Sequence, residues 1–362
     1  LGGAETAPRP KQNVNEQTLN ALVTGAAGFL GRHIVQQLLA RGDQVTAFCR
    51  TLPANSHTLF GPDTAQLQIV AGDIRDPPVI DSAAGGVDTV FHTAATAGLW
   101  GSWRRYQKNN VQGTHNVIAA CRRNGVRRLI YTSSPSVVFT TTDQSGVDES
   151  IPYTTRWLCN YPRSKALAEQ AVLAANGTAR MLTCALRPHL LWGPGDRHLL
   201  PRLLMRARAG QIRRIGEGKN LVDVVYVENA AAAHLQAADA LHDNSPVCGR
   251  PYFISQGEPV NCWRWVDDLL ALAGLPQVQR SMSFSSAWRS GIAFEITYRL
   301  LSIRKEPPMT RFLAAQLGRE HWFNISAARR DFGYRPLVST AEGMRRLKDW
   351  LSLHCPADLV HC

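Results

Sequence analysis

Two side chains in the stretch "NYPRSKALAEQ" are of types that could share acid–base work. Tyr161 and Lys165 stand four residues apart, at the front of what reads as a helix, so both lie on one face. A free phenol has a pKa of about 10, and a neighbouring ammonium favours its ionised form, so such a pair can act nearer neutrality than a phenol alone. An ordinary surface helix with a solvated phenol and ammonium has the same spacing, and the pair alone does not choose.

A second motif points to a ligand. "TGAAGFLG" places Gly25, Gly28 and Gly31 between the β-branched run "ALVTG" and the helix-like "FLGRHIVQQLLARG". Glycines there permit a tight turn and let backbone approach a pyrophosphate at the positive end of the helix, which is the pattern of a dinucleotide site. The second strand, "QVTAFCR", ends in Phe48, Cys49 and Arg50 rather than in the carboxylate that would hold an adenosine ribose 2′-OH. Arg50 instead offers a cation for a 2′-phosphate, so the expected cofactor is NADP(H).

The elements that must position these residues alternate along the chain. After "ALVTG" and "QVTAFCR" come the strands "LQIVAGDIRD" and "VDTVFHTAA", the helix "NVQGTHNVIAACRRNG" and the strand "RRLIYTSS". Strands and helices at this spacing predict an α/β fold: a doubly wound, parallel, Rossmann-type sheet covered on both faces. The segments after Tyr161 are less regular and suit a smaller, mixed C-terminal substrate lobe closing over the carboxyl ends of the strands. The expected organisation is a tail over 1–18, a nucleotide-binding domain over 19–184 with 219–250 returning to it, a substrate lobe from 185–218 and 251–351, and a second tail over 352–362.

The bulk of the 362-residue chain fits an ordinary globular protein, with 44% hydrophobic and 19% charged residues. The net charge is +12, with arginines grouped at 122, 123, 127 and 128 and at 202, 206, 208, 213 and 214. No zinc-finger spacing, RNP-like strand or long basic run accompanies them, so nucleic acid is not the expected partner, and most read as solvated helix faces. The eight cysteines form no Cys-x-x-Cys and have no histidine at zinc spacing; they read as free thiols in a reducing compartment, with no metal site. The first residues lack a signal-peptide layout, and no apolar run reaches the roughly 18 residues that a spanning helix needs. The expectation is a cytoplasmic protein.

In order and spacing, "TGAAGFLG", "GDIRD", "FHTAA", "NVQGTHNV", "YTSSPSV", "YPRSK", "LRPHLLWGPGD" and "VDVVYVENAAAAH" resemble the extended short-chain dehydrogenases/reductases from Leu19 to Leu351. The C-terminal "PPMTRFLAAQLGREHWFNISAARRDFGYRP" is similar to their 3β-hydroxysteroid dehydrogenase-like branch. "AGLWGSW" and "ALRPHLLWGPGDRHLLPRLLMRARAG" look closer to the bacterial 2-alkyl-3-oxoalkanoate reductases of long-chain olefin biosynthesis.

This resemblance implies roles. Tyr161 would protonate the carbonyl oxygen during reduction, Lys165 would lower the phenol's pKa and bind the nicotinamide ribose, and Ser134 would hydrogen-bond the substrate oxygen, with Ser133 and Ser136 as alternatives. Gly25, Ala27, Gly28, Phe29, Leu30 and Gly31 would cradle the pyrophosphate. Asp73 and Ile74 would sit at the adenine, Ala94 and Ala95 along the pyrophosphate and ribose, and Pro188 at the nicotinamide. His92 and His189 read as packing residues, and Asn110 as a group that positions a helix or a water. Pro162 biases Tyr161 away from helical geometry, so Tyr161 is expected to begin the helix.

The apolar residues Leu99, Trp100, Trp103, Trp157, Leu191 and Trp192, with the basic excess, suggest a long-chain, apolar 3-oxo acid as substrate. A 3β-hydroxysteroid or sterol dehydrogenase is the main alternative. A sugar-nucleotide epimerase suits the apolar segments less, and a non-catalytic NADP(H) sensor would not need Tyr161 with Lys165. In 282–305, Trp288, Ile292, Ile296, Leu300 and Ile303 form one helical stripe. It either packs on the small lobe or faces outward, toward a membrane surface or a partner enzyme. Arg289, Glu295 and Arg299 rule out a comfortable spanning helix. A homodimer is left open.

Overall fold

The structure is a computed structural model that describes residues 18–51, 59–62 and 64–354. Most of both expected tails, with Cys355 and Cys362, lies outside the described residues. Seven strands form one sheet: β1 (Asn20–Thr24), β2 (Gln44–Cys49), β3 (Leu67–Ala71), β4 (Thr89–His92), β5 (Arg128–Thr132), β6 (Leu182–Pro188) and β7 (Arg250–Ile254). Their order is β7-β6-β5-β4-β1-β2-β3, and every pairing is parallel. A strand covered on both faces has no polar side to show, and β6 is accordingly buried at every residue.

Helices cover both faces. On one side α1 (Phe29–Arg41) supplies Ile34, Val35 and Leu38 to a core shared with alanines of the helix over 227–240. On the other, α2 (Gly113–Arg123) and α3 (Asn160–Ala174) bury Val117, Cys121, Ala168 and Val172. α1 stops where the sequence puts Gly42, which takes φ 92° and caps the carbonyls of Leu38 and Leu39.

A second core lies in the small lobe, around Trp192, Leu204, Trp263, Trp265 and Leu347. A four-stranded sheet of 260–261, 221–222, 321–323 and 144–147 flanks it. Two segments depart from the expected partition. β7 pairs with β6 through five consecutive residues, so "PYFIS" belongs to the large sheet and not to the lobe. Gln144–Val147, placed by the sequence in the nucleotide domain, pairs instead with His321–Phe323 of the lobe. Strand partners are a long-range choice, invisible in local periodicity.

The stripe over 282–305 also resolves. Helix α4 (Phe284–Leu300) packs on α5 (Arg311–Gly318) through Ala287, Gly291 and Glu295. The apolar stripe is left outside: Ile292 is 37% exposed, Ile296 50% and Leu300 80%. Trp288 and Ile303 are half-buried. Among the described residues no helix is long and apolar enough to cross a membrane.

Candidate active site

The turn between β1 and α1 has the closeness that its glycines predict. Gly25 takes φ 71°, and a Cβ there would lie 2.8 Å from the Ala94 backbone. A Cβ on Gly31 would lie 2.3 Å from the Gly25 carbonyl oxygen. Only glycine allows the turn, the end of β4 and the first turn of α1 to meet in this way. Gly28 caps α1 without a side chain, and Ala27 and Phe29 flank it half-buried while Leu30 points into the core. Such a bare helix N-terminus fits a pyrophosphate, so these residues suit a bound dinucleotide. Arg50 is exposed at the end of β2. Asp73 lies beside it but is held by Arg75, whose guanidinium donates to both carboxylate oxygens at 2.6–3.0 Å and keeps the acid below its usual range. Arg75 was not singled out in the sequence; its i, i+2 spacing from Asp73 was the available signal. Ile74 is buried against Gly113. Ala94 is half-buried, Ala95 exposed, and Pro188 ends β6 fully buried.

Tyr161 sits in the first turn of α3, which begins at Asn160, one residue earlier than expected. Pro162 does no damage there, because the first-turn N–H groups of a helix have no intrahelical partner. The Ser134 hydroxyl hydrogen-bonds Tyr161 and also contacts the Ser136 hydroxyl at 2.9 Å. Ser133 is turned away: its hydroxyl is buried without a partner, and its N–H bonds the Leu186 carbonyl at 2.6 Å. Of the three serines, Ser134 is therefore the one at the phenol.

Lys165 reaches back to the end of β5. Its ammonium donates to the Thr132 carbonyl at 2.5 Å and lies 4.2 Å from the centroid of the Tyr131 ring. Burial pushes Tyr161 up to about 12, against the pull of the Ser134 hydrogen bond, and brings Lys165 down to about 7, against the pull of Glu169. Desolvation is the largest influence on both groups and favours the neutral form of each. Glu169, one turn beyond Lys165, is locked in a buried pair with Arg187 of β6 at 2.5 Å and accepts from the Tyr153 hydroxyl at 2.6 Å. This cluster ties α3 to the strand that ends in Pro188.

The two histidines are packing residues here. His92 accepts from the Thr24 hydroxyl at 2.7 Å and donates to the Thr114 hydroxyl at 2.9 Å, and burial drives it down to about 3. His189 bonds the Asp223 carbonyl at 2.7 Å and His321 at 2.9 Å and is likewise held well below its ordinary value by burial. Asn110 has a positioning role. It lies in a π-helical turn over 107–112, 1% exposed. Its side chain accepts from the Thr96 N–H at 2.7 Å and donates to the Thr96 carbonyl at 3.0 Å and the Ser164 hydroxyl at 2.9 Å. That clamps the loop after β4 to the turn between Tyr161 and Lys165.

A cavity of about 850 Å³ opens at the start of α3, walled by 99–102 and 105, by 157–160 and by the inner side of α4 with the segment that follows it. Cys159 and Asn160, immediately before Tyr161, line it, as do Leu99, Trp100 and Trp157. The other expected aromatics lie elsewhere. Trp192 is in the lobe core against Tyr226 and Trp265, Leu191 packs against the large-sheet core, and Trp103 lies under the Arg163 guanidinium at 4.2 Å. Among the described residues, no cluster of His, Cys, Asp or Glu could hold a metal ion.

Residues 22–284 match the model of the 3-beta hydroxysteroid dehydrogenase/isomerase family. A 2-alkyl-3-oxoalkanoate reductase of Stenotrophomonas maltophilia is 48% identical over 91% of this chain and 98% of its own. A second, from Shewanella oneidensis, is 43% identical over 96% and 92%. The mouse sterol-4-alpha-carboxylate 3-dehydrogenase, decarboxylating, is 34% identical over 90% and 88%. Among solved structures, MoeE5 in complex with UDP-glucose and NAD superposes with a TM-score of 0.70 at 25% identity, covering 92% of this chain and 99% of that one.

Proposed function

The chain belongs to the 3-beta hydroxysteroid dehydrogenase/isomerase family, and we propose that it uses NADPH to reduce the 3-oxo group of a 2-alkyl-3-oxoalkanoic acid to the 3-hydroxy acid, a step of long-chain olefin biosynthesis. One observation carries this reading. The cavity lined by Cys159 and Asn160, the two residues before Tyr161, joins apolar walls, Leu99, Trp100, Trp157 and Leu158, to four arginines and a single acid, Glu295. That lining suits a greasy chain ending in an anion and does not suit a sugar. The two reductases named above, at 48% and 43% identity over nearly whole chains, support it.

We assign the pyrophosphate to the turn Gly25, Ala27, Gly28, Phe29, Leu30 and Gly31, and the adenine surroundings to Asp73 and Ile74. Arg50 would take the 2′-phosphate, Ala94 and Ala95 would flank the phosphates and ribose, and Pro188 would lie at the nicotinamide. When bound, the cofactor supplies the hydride. The protein's own part is the proton. Tyr161, whose neutral form is the stable one at pH 7, donates to the oxygen of C3 as negative charge develops there. Ser134 donates a hydrogen bond to the same oxygen. Lys165, anchored on Thr132, would contact the nicotinamide ribose.

The sterol reading shares one chemical feature with this one. In a sterol 4α-carboxylate the reacting C3 stands next to the carbon bearing the carboxylate, as in a 2-alkyl-3-oxo acid. The arginine-lined cavity favours substrates with that acid over neutral ketosteroids. We also propose that α4 rests on an anionic lipid surface. Its outward face carries Ile292, Ile296 and Leu300 with Arg289 exposed on the same helix, and that helix walls the cavity, which would let an apolar substrate enter from the lipid.

The test is product mass spectrometry after incubation of the protein and NADPH with 2-alkyl-3-oxo acids and with 3-ketosteroids. A 2-alkyl-3-hydroxy acid is the expected product. Turnover of ketosteroids alone would overturn the proposal.

A further inference from the structure

The arginines of the cavity are not equivalent. Arg311 is committed: its backbone N–H and guanidinium donate to both oxygens of Glu295 at 2.8–3.0 Å. Glu295 is itself only 2% exposed. Arg299, one turn along α4, lies 3.6 Å from the same carboxylate, an ion-pair distance too long for a good hydrogen bond. Its guanidinium sits 5.6 Å from the centroid of the Trp100 ring, and Trp100 is fixed by its indole N–H donating to the Ile303 carbonyl at 3.0 Å. A buried acid on one side and a pinned indole on the other thus aim Arg299, while Glu295 leaves its donors uncommitted. Arg304 and Arg105 line the same cavity.

We propose, building on the 3-oxo-acid reading above, that Arg299, backed by Arg304, grips the substrate carboxylate, and that this grip stops the acid from losing carbon dioxide before its ketone is reduced. A 3-oxo acid is a labile substrate. It decarboxylates when its carboxyl proton passes to the ketone oxygen within a six-membered ring. The C1–C2 bond breaks, its electron pair becomes the C2=C3 bond of an enol, carbon dioxide leaves, and the enol rearranges to a ketone. That route needs the carboxyl group protonated and turned toward the ketone. A guanidinium holds the carboxylate ionised and occupies its lone pairs, so the proton to be transferred is absent. The remaining route, loss of carbon dioxide from the anion, moves the C1–C2 electron pair and the negative charge onto the ketone oxygen as an enolate; a guanidinium that holds the charge on the carboxylate opposes that movement. The same residues that select an acid therefore select the order of events: reduction first, with the carboxylate kept for a later enzyme that removes it.

The experiment compares wild type with Arg299→Gln and Arg299→Lys. NADPH binding serves as the check of folding, and each protein is given a 2-alkyl-3-oxo acid and its methyl ester. Two quantities are read: the acid-over-ester ratio of kcat/KM, and the fraction of acid appearing as decarboxylated ketone, against a protein-free control. In Arg299→Gln the acid preference is expected to fall by about 10- to 100-fold, the scale of a lost charge-assisted hydrogen bond. The ketone fraction should rise toward the control, and Arg299→Lys should recover part of both. An acid preference within twofold of wild type in Arg299→Gln would remove Arg299 from the carboxylate. A fallen preference with an unchanged ketone fraction would overturn the protective role. A wild-type protein that reduced neither acid nor ester would sink the reading of the site itself, before any variant was made.

Discussion

Replacing Asn110 by alanine should damage stability and turnover together. The side chain makes three hydrogen bonds in a site that is 1% exposed: from the Thr96 N–H at 2.7 Å, to the Thr96 carbonyl at 3.0 Å and to the Ser164 hydroxyl at 2.9 Å. At a net value of about 1 kcal/mol each they sum to about 3 kcal/mol. The Thr96 N–H, left facing an apolar methyl, adds to this if water cannot reach it. That is a large part of the roughly 5–15 kcal/mol that a domain of ordinary stability has. The functional effect follows from where the bonds end. Thr96 belongs to the loop that also carries Ala94 and Ala95, and Ser164, whose hydroxyl donates to the Tyr161 carbonyl at 2.7 Å, sits between Tyr161 and Lys165. Without Asn110 the catalytic helix and the cofactor loop lose their common reference, so kcat should fall at least tenfold with a smaller change in KM. Asn110→Asp is the informative second variant. It keeps the acceptor for Thr96 N–H but opposes a carboxylate to the Thr96 carbonyl, and should do no better than alanine. Urea denaturation gives the stability change and single-turnover reduction gives the chemical step. A loss of less than 1 kcal/mol, or an unchanged single-turnover rate in a destabilised variant, would refute the reasoning.

Further outcomes are expected from other parts of the molecule. Tyr161→Phe should bind NADPH within a few-fold of wild type but turn over on the order of a hundredfold more slowly, and wild-type turnover would remove the phenol from the mechanism. Arg50→Ala should weaken NADPH much more than NADH in a binding titration, and equal losses would show that Arg50 does not read the 2′-phosphate. Asp223, fully buried and bonded by the Phe323 N–H at 2.8 Å, is pushed by burial from 3.8 up to about 6. A carboxyl raised on folding stabilises the fold while protonated, and that contribution fades as pH rises from the lower value through the higher. Asp223→Asn should therefore gain on wild type by about 2 kcal/mol between pH 4 and pH 8, and parallel stability profiles would show the acid to be unstrained. Ile292→Asp with Ile296→Asp should leave a folded, NADPH-binding protein that no longer sediments with anionic vesicles; retained sedimentation would remove α4 from the lipid contact.

How much of this was legible in the sequence depended on how local each feature is. The turn at Gly25, the entry to α1 and the shared face of Tyr161 and Lys165 are set by neighbours within a few residues, and they stand where spacing put them. The surroundings of that pair are tertiary: nothing within "NYPRSK" says that both groups will be buried or that the Thr132 carbonyl will accept from the Lys165 ammonium. Asn110 was visible as a polar residue before a helix, but its inward aim depends on a π-helical turn that has no residue signature of its own. The membership of β7 in the large sheet depends on β6, more than sixty positions away, and periodicity carries no information about partners at that range.

Helix α4 shows most clearly why a readable pattern can still leave its own direction open. Its sequence contains two stripes at helical spacing. One is apolar: Trp288, Ile292, Ile296 and Leu300. The other is Ala287, Gly291 and Glu295. Hydrophobicity alone favours packing the first. The fold packs the second, and the deciding position is Gly291. A Cβ there would lie 2.7 Å from the backbone nitrogen of Arg311, so only a residue without a side chain lets the backbones of α4 and α5 approach this closely. Once they do, Arg311 is near enough to satisfy both oxygens of the buried Glu295, which removes the penalty that would otherwise turn an acid outward. With small residues and a satisfied acid inside, the larger apolar side chains have only the outer surface left, and Arg299, one turn past Glu295, is carried to the rim of the cavity. The exposed stripe and the placement of Arg299 are thus one consequence of one glycine, and Gly291→Ala should disturb both.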